Sequence, residues 1–464
     1  MNMRALIEEL GEICGSAQVL TKPSEMETYA TDWKRSVKGN PVCVVRPAST
    51  QEVALVVRAC RRYQVAIVPQ GGNTGLAAGA TPSPKGGDVV VSLVRLNQIR
   101  SIDPLAMTVE VEAGAILQTV KEKVETYGRL LPVGIAAEGS ATIGGIVSTN
   151  AGGISVLRYG MTRALVLGLE VVLADGTIVD GLRHLRKDNS GYDWKQLFIG
   201  AEGTLGIVTA AVLRLVPRPR GSVTAFLSVP DVDAAARLFS LSQELVGDAL
   251  STFELISQTS VALVEKHVGL RSPIAAGGWY LLVEAASSLS GLEQAMETML
   301  GKALEDGLAV DGVVAASGQQ VQSIWSLREH ITEAEARHGE SLKHDISIPI
   351  GRMSDFLVEA GEAVTAICPQ ADFNIFGHLG DGNLHYNVLL NGGQEHEAVN
   401  RAVHDVVVLY RGSISAEHGI GQYRLKEWLR TKPETEQKLA RAIKQVLDRD
   451  CMMNPGKLLP LNPG

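Results

Sequence analysis

Two histidines seven positions apart, in Gly377-His378-Leu379-Gly380-Asp381-Gly382-Asn383-Leu384-His385-Tyr386-Asn387, carry the sharpest chemical signal in the sequence. Asp381-Gly382 is a strong two-residue hairpin turn. Folding there pairs Gly380 with Asn383, Leu379 with Leu384 and His378 with His385. Directly opposed residues on one face of a hairpin lie ~5 Å apart at Cβ, close enough for two imidazoles to share a cation. Such a pair also suits two satisfied core histidines, so a third ligand decides. Ser415-Ala416-Glu417-His418-Gly419-Ile420-Gly421 offers one, although the heptapeptide alone reads as a charged loop. Glu417 with His378 and His385 makes two imidazoles and one carboxylate, with positions open to a substrate. A redox-inert divalent ion there would act as a Lewis acid on a bound oxygen, and a nearby imidazole would take its proton. Zinc fits this donor set; Mn²⁺ and Co²⁺ also fit it.

A different chemistry is carried by glycine. A diphosphate needs several N–H donors at close backbone approach, which glycine permits without steric cost. Pro69-Gln70-Gly71-Gly72-Asn73-Thr74-Gly75-Leu76 follows an apolar strand and fits a phosphate cradle. The loop is not the Gly-x-Gly-x-x-Gly fingerprint and by itself reads equally as a structural turn. It has company. Glu138-Gly139-Ser140-Ala141-Thr142-Ile143-Gly144-Gly145-Ile146-Val147-Ser148-Thr149-Asn150-Ala151-Gly152-Gly153, then Tyr159-Gly160, is a second dense polar cluster. Arg186 to Asp193, leading into Gly200-Ala201-Glu202-Gly203-Thr204-Leu205-Gly206-Ile207, is a third. Three such clusters in one half of a chain are hard to explain as turns.

A candidate anion reader lies between these regions. Arg328 and Thr332 are i, i+4 on a predicted helix and share its face; Lys343 follows in Ser341-Leu342-Lys343-His344-Asp345. The planar fork of Arg matches a carboxylate, while a solvated helix charge is the plainer alternative.

The elements that must position these groups are legible in outline. Ser49-Thr50-Gln51-Glu52 is a capping box opening a helix whose Val53, Val56, Val57 and Cys60 recur at helical spacing. Strands over 42–46 and 66–69 flank it, and 88–93 and 108–111 continue that sheet. Residues 167–179 read as two strands turning at Asp175-Gly176, and 206–216 alternates before Pro217 and Pro219, which mark a boundary. Beyond it, strands at 223–229, 251–255 and 280–284 interleave with helices near 232–246, 288–306 and 320–337, an α+β pattern with helices covering one sheet.

Composition narrows the class. The 464 residues suggest two or three domains, and 45% hydrophobic residues, 48 glycines and 20% charged residues suit a compact enzyme. A net charge of −8 argues against a nucleic-acid protein. Five scattered cysteines without a Cys-x-x-Cys pair indicate neither a disulfide framework nor a thiolate zinc site, and suit a reducing compartment. No signal-peptide order opens the chain and no apolar run reaches the ~18 residues of a membrane span. The expectation is a cytoplasmic protein, with a membrane-peripheral location left open.

Taken together, the three glycine clusters resemble the flavin oxidoreductases of the vanillyl-alcohol oxidase type over nearly the whole chain. The resemblance implies an FAD-binding domain of two α/β subdomains over 1–218, an α+β substrate domain with an antiparallel sheet over 219–412, and a helical segment over 413–464 returning to the first domain. Pro69 to Leu76 would bind the diphosphate, Glu138 to Gly145 and Asn150 to Gly153 the flavin and ribityl region, and Gly203, Gly206 and Ile207 the adenosine side. Pro132, Gly134, Ser148, Tyr159, Gly160, Glu202 and, in Asn454-Pro455-Gly456-Lys457, Asn454 join the implied cofactor set. Many members attach FAD through a histidine in the first loop. Here Gln70 and Asn73 stand there, which implies noncovalent FAD.

The motifs Gly-His-x-Gly-Asp-Gly-Asn-x-His and Glu-His-Gly-Ile-Gly are similar to those of the D-2-hydroxyacid dehydrogenases within that group. The similarity implies a divalent metal, usually zinc, on His378, His385 and Glu417, with His418 as catalytic base and Asn387 orienting the substrate. Arg328, Thr332 and Lys343 resemble the set that holds a distal carboxylate, which favours D-2-hydroxyglutarate or a diacid such as D-malate over D-lactate or glycolate. An electron-transfer flavoprotein or a quinone is the kind of electron acceptor in view, while assembly, a homodimer among the options, is left open by the sequence. A flavin-holding electron-transfer subunit without a substrate site is the rival of another class.

Overall fold

The computed structural model describes residues 2–275 and 277–460. The chain separates into two compact units, one comprising Met1–Gly153, Gly160–Arg218 and Glu417–Gly464, the other Ile154–Tyr159 and Pro219–Ala416.

The first unit is built on two sheets. Ser49 Oγ accepts the Glu52 amide at 3.1 Å and starts the helix Thr50–Arg62, while the Glu52 carboxylate reaches past the cap to the Ala48 amide at 2.8 Å. Val53, Val56, Val57 and Cys60 are fully buried, packed with Cys43, Val45, Ile67, Val89 and Val91. Burying each such side chain contributes roughly 1.5–3 kcal/mol. Cys43–Val45, Val89–Ser92 and Ile67–Gln70 pair in parallel, in that order, with Val19–Leu20 antiparallel at one edge. Thr108–Glu112 does not continue this sheet. It belongs to a second, antiparallel one, ordered Ile99–Asp103, Thr108–Glu112, Ile207–Arg214, Val166–Val172, Ile178–Gly181. The 206–216 stretch is likewise not half-exposed. Ile207 to Leu213 are buried on both faces because this strand is central and covered on each side, which erases the polar alternation of an ordinary antiparallel strand.

The chain returns to this unit at Glu417, four residues beyond the expected 413. Its last stretch runs beside Ile67–Gln70: the Ile67 amide donates to Met452 O at 2.8 Å and the Asn454 amide to Ile67 O at 2.7 Å. Lys444, on the helix Glu434–Leu447, anchors that stretch. Its ammonium is buried and donates to Thr204 O at 2.6 Å, Met453 O at 2.8 Å and Asp448 Oδ2 at 2.5 Å.

The second unit holds one seven-stranded antiparallel sheet, ordered Asp311–Val314, Gly221–Val229, Trp279–Ser287, Leu250–Ser257, Asp372–His378, Asn383–Leu389, Ser341–Ser347. Helices cover both of its faces rather than one. Gln258–His267, Gly318–Glu329 and Ile331–His338 pack over Phe226, Ile256, Tyr280, Leu282 and Phe376. Val232–Leu245 and Met353–Ile367 pack on the other face, where Phe239 meets Phe253 at 5.2 Å and Phe356 meets Tyr386 at 5.6 Å between ring centroids. The helix expected near 288–306 begins at Leu292. The helix expected over 320–337 is two, broken at His330 (φ −86°, ψ 1°). Ile154–Tyr159 joins this unit through Arg158, whose guanidinium donates to Ala286 O at 2.5 Å. Among the described residues no helix is long and apolar enough to cross a membrane.

Replacing Lys444 with Ala should destabilise the first unit by about 3 kcal/mol, because the Asp448 carboxylate would stay buried without its cation. A thermal melt should show this as a lower first transition; an unchanged melt would count against the anchor.

Candidate active site

One face of the sheet in the second unit carries Lys343 and Asn387 together with His378 and His385, and strand register explains why. Glu254 stands opposite His378, Phe376 opposite His385, Asn374 opposite Asn387, and on the outer strand Lys343 opposite Asn387 and Asp345 opposite His385. All of these point to the face covered by Gly318–Glu329 and Ile331–His338. Half of that face is apolar core; the other half is this polar row.

His378 and His385 are not directly opposed. Leu379–Asp381 forms a 3-10 turn and Gly382 takes φ 80°, so Asp381-Gly382 is not a two-residue hairpin loop, and the register moves by two residues. A shift of two keeps every side chain on its face, so the histidines become diagonal neighbours. Their ring centroids lie 5.9 Å apart, and a nitrogen of one lies within 4.8 Å of a nitrogen of the other. His385 also packs on the Phe376 ring at 4.9 Å.

A residue that organises the row is Glu254, which sequence reading passed over. Its side chain is 1% exposed, one Oε contacts His378 Nδ1, and the other accepts Arg328 Nε at 2.6 Å. Burial pushes this carboxyl up, but the neighbouring His378 and Arg328 outweigh it and hold the pKa down at about 2. The Arg328 guanidinium also lies 4.7 Å from the Phe376 ring centroid, a cation–π contact. The only signal for Glu254 was one carboxylate inside the apolar run Phe253-Glu254-Leu255-Ile256.

Glu335 plays a similar part for the neighbouring residues. It is fully buried, and accepts Asn374 Nδ2 at 2.5 Å and Asn387 Nδ2 at 2.6 Å, with Lys343 Nζ at 3.3 Å and the Ser341 hydroxyl on its other oxygen. Lys343 and Asn387 are thus gathered at one carboxylate. Thr332 is not gathered with Arg328: it is exposed and belongs to the helix after the break, so the shared-face argument fails.

Glu417 and His418 head the returning segment of the first unit, with a carboxylate oxygen and a ring nitrogen within 4.8 Å of each other. The preceding residue is fixed in the second unit: the Ala416 amide donates to Asp345 O at 3.2 Å.

In the first unit the three glycine clusters meet. A Cβ on Gly72 would lie 1.9 Å from Ser140 O and one on Gly71 2.1 Å from Thr142 Oγ1, so the 69–76 loop presses directly on the second cluster. A Cβ on Gly203 would meet Pro69 at 3.1 Å, one on Gly144 would meet Ala113 at 2.7 Å, and one on Gly153 would sit 2.0 Å from Gly134 O. Thr142 caps the short helix Ile143–Thr149, which ends on Asn150 in the left-handed region (φ 49°). Gln70 is committed to Tyr29 O and Ala80 O at 2.9 and 2.8 Å, and Asn73 to Thr28 O and Thr31 O at 3.1 and 2.8 Å.

Other expected cofactor residues have internal partners. Glu138 pairs with Lys121 at 2.6 Å, the Ser148 carbonyl accepts the Glu202 amide at 2.8 Å, and Asn150 Oδ1 accepts the Arg163 amide at 2.9 Å. The Glu202 carboxylate, its pKa raised by burial, accepts the Ile420 and Gly421 amides, both at 2.8 Å. Asn454 Nδ2 donates to Glu202 O at 2.6 Å and Gly79 O at 2.9 Å, while its buried Oδ1 has no partner among the described residues. Tyr159 belongs to the second unit, whereas the rest of its cluster, Gly160 included, belongs to the first. A glycine-built cradle with an orphaned buried acceptor beside it fits a dinucleotide cofactor that supplies the missing contacts.

Comparison with known proteins finds two family models along the chain. An FAD binding domain model matches residues 41–181, and a model of the C-terminal domain of FAD linked oxidases matches residues 218–458. The chain is 40% identical over 448 residues to the mitochondrial D-2-hydroxyglutarate dehydrogenase of Bos taurus, covering 96% of this chain and 81% of that one. It is 38% identical over 460 residues to the D-2-hydroxyglutarate dehydrogenase of Xanthomonas citri pv. viticola, covering 97% and 96%. Of solved structures, p-cresol methylhydroxylase with substrate bound matches with a TM-score of 0.78 at 15% identity, over 98% of this chain and 96% of that one. Alkyldihydroxyacetonephosphate synthase matches with a TM-score of 0.75 at 18% identity, over 97% and 84%. At such identities these two speak for the fold alone, which is of the vanillyl-alcohol-oxidase type. The chain belongs to the FAD-linked oxidases, as a relative of the D-2-hydroxyglutarate dehydrogenases among them, and is an FAD-dependent oxidoreductase.

Proposed function

We propose that this enzyme oxidises D-2-hydroxyglutarate, or a close D-2-hydroxy diacid such as D-malate, to the 2-keto acid, using noncovalent FAD and one divalent cation. The observation that carries the reading is the polar row itself. His378, His385, Lys343 and Asn387 stand on one face of the sheet, and Arg328 reaches down to that face from the covering helix, and relatives of 35–40% identity share the name D-2-hydroxyglutarate dehydrogenase.

The donor set fits the cation. Two imidazoles have nitrogens within 4.8 Å of each other, and one ring rests on a buried carboxylate, the usual setting of a metal-ligating histidine. His378, His385 and Glu417 would hold the ion. A bound Zn²⁺ would supply Lewis acidity that lowers the pKa of a ligated hydroxyl. Bound FAD supplies the two-electron acceptor for the C2 hydride.

The protein's own side chains do the rest. A ring nitrogen of His418 accepts the C2-hydroxyl proton as the C2–H bond breaks and the carbonyl forms, so the substrate loses one proton and one hydride. Asn387, steadied on Glu335, orients the C1 carboxylate through its second amide hydrogen. Arg328 and Lys343 hold the distal carboxylate, the Arg through its two terminal nitrogens because Nε is already on Glu254. No histidine stands in the first loop, and both Gln70 and Asn73 are hydrogen-bonded elsewhere, which supports a noncovalent flavin. An electron-transfer flavoprotein or a quinone would then reoxidise it.

Anaerobic mixing with D- and L-2-hydroxy acids, followed by loss of flavin absorbance, tests the reading. D-2-hydroxyglutarate should bleach the flavin fastest; bleaching by D-lactate or glycolate alone would reassign the substrate, and no bleaching by any acid would favour an electron-transfer subunit. Arg328→Ala should lower the ratio of kcat/KM for D-2-hydroxyglutarate over D-lactate by about 100-fold, the value of a charge-assisted contact of ~3 kcal/mol. The ratio cancels whatever the change does to parts common to both substrates, so an unchanged ratio would remove Arg328 from diacid recognition. Gly72→Ala, whose methyl would press on Ser140 O, should yield protein that loses most of its flavin on gel filtration; retention of a full complement would argue that the 69–76 loop is a turn and not a cradle.

A further inference from the structure

Glu254 is absent from every motif in the sequence, yet it touches two residues at the two ends of the proposed substrate site. We infer that Glu254 is a positioning residue: one carboxylate oxygen fixes His378 for cation binding through Nε2, and the other fixes Arg328 for the distal carboxylate of the substrate. The inference deepens the reading above and rests on it.

The geometry gives three reasons. Glu254 and His378 are directly opposed on neighbouring antiparallel strands with both side chains on the site face, so their contact is set by backbone register and not by a flexible arm. A carboxylate on Nδ1 keeps the ring proton there, which puts the lone pair on Nε2 and fixes the plane of the imidazole. Arg328 is then caught between the second oxygen at 2.6 Å and the Phe376 ring at 4.7 Å. Committing Nε leaves the guanidinium's terminal pair as the fork for a carboxylate. Phe376 itself is opposite His385, so its ring touches the second imidazole at 4.9 Å within the sheet and the Arg328 guanidinium from the covering helix. A residue serving only to neutralise Arg328 would need neither the histidine contact nor this register.

The test uses the full chain loaded with FAD. Zinc affinity is measured by competition with a colorimetric chelator, for the native protein, Glu254→Gln and Glu254→Asp. Glu254→Gln should bind zinc about 10–100-fold more weakly, the usual cost of losing a carboxylate behind a ligating histidine, and Glu254→Asp should recover part of the loss. With zinc saturating, its preference for D-2-hydroxyglutarate over D-lactate should fall about 10-fold or more, as one charge-assisted contact at Arg328 slackens. Native zinc affinity together with native preference in Glu254→Gln overturns the inference. A native protein that takes up neither zinc, manganese nor cobalt overturns the cation reading itself, and this inference with it, a result distinct from a variant that merely matches the native chain. Should Glu254→Gln not fold, the ring nitrogen shifts of His378 in zinc-loaded native protein decide, assigned by their loss in His378→Gln. A protonated Nδ1 with metal-bound Nε2 supports the inference, and a metal-bound Nδ1 overturns it.

Discussion

A carboxylate with 1% of its surface exposed has given up nearly all of its hydration, and the row of residues around Glu254 exists to replace it. Moving such a group out of water costs several kcal/mol unless cations and donors meet both oxygens. Here a guanidinium meets one and an imidazole the other, and each donor comes from a different element, the helix Gly318–Glu329 and the strand Asp372–His378. The charge therefore ties helix to sheet at the polar half of a face whose other half is held by Phe226, Ile256, Tyr280 and Leu282. Removing either donor would strand the charge, so the arrangement tolerates little drift. Rigid placement of that kind is what a site for a small anion requires.

The flavin unit solves a different problem by subtraction. Its loops approach one another so closely that side chains are missing where they meet: Gly71 and Gly72 against the 140–142 turn, Gly153 against Gly134, Gly203 against Pro69. Backbone amides laid open this way can serve phosphate oxygens without a charged side chain. Polar side chains nearby are used inward instead. Gln70, Asn73 and Asn150 bind main-chain groups, and Glu202 fastens the Ile420–Gly421 backbone while Asn454 binds the Glu202 carbonyl. The side chains shape the cradle, and the backbone is what a ligand would meet.

Much of this was legible in the sequence because it depends on local pattern. The capping box, the strands flanking the helix Thr50–Arg62 and the meeting of three glycine clusters all follow from short-range signals. Register did not. The 3-10 turn at Leu379–Asp381 shifted the His378–His385 pairing by two residues, and the histidines stayed on one face only because two is even. Helix continuity failed at His330, where nothing in the residue types announces a break, and Thr332 was lost from the Arg328 face as a result. Glu254 and Glu335 were invisible for a more general reason. A single acidic residue in an apolar strand or an amphipathic helix has no spacing to read, and its partners lie 74 to 124 positions away for Glu254.

On the proposed reading, Glu254 and Glu335 also determine what an incoming acid would meet. Each carboxylate already balances a basic side chain, Arg328 in one case and Lys343 in the other. An unbalanced pair of cations would bind any anion more tightly, but it would also repel itself and lose its geometry. With the two acids in place, the Nε of Arg328 is spoken for, and Lys343 is drawn inward to Glu335 although its side chain stays 41% exposed. A ligand must then match the directions left open rather than the charge alone. Discrimination between a diacid and a shorter monoacid at the proposed site would come from unpaired polar groups in the wrong complex more than from attraction in the right one. On that logic the buried carboxylates, which no substrate touches, bear as much on selectivity as the cations that a substrate would meet.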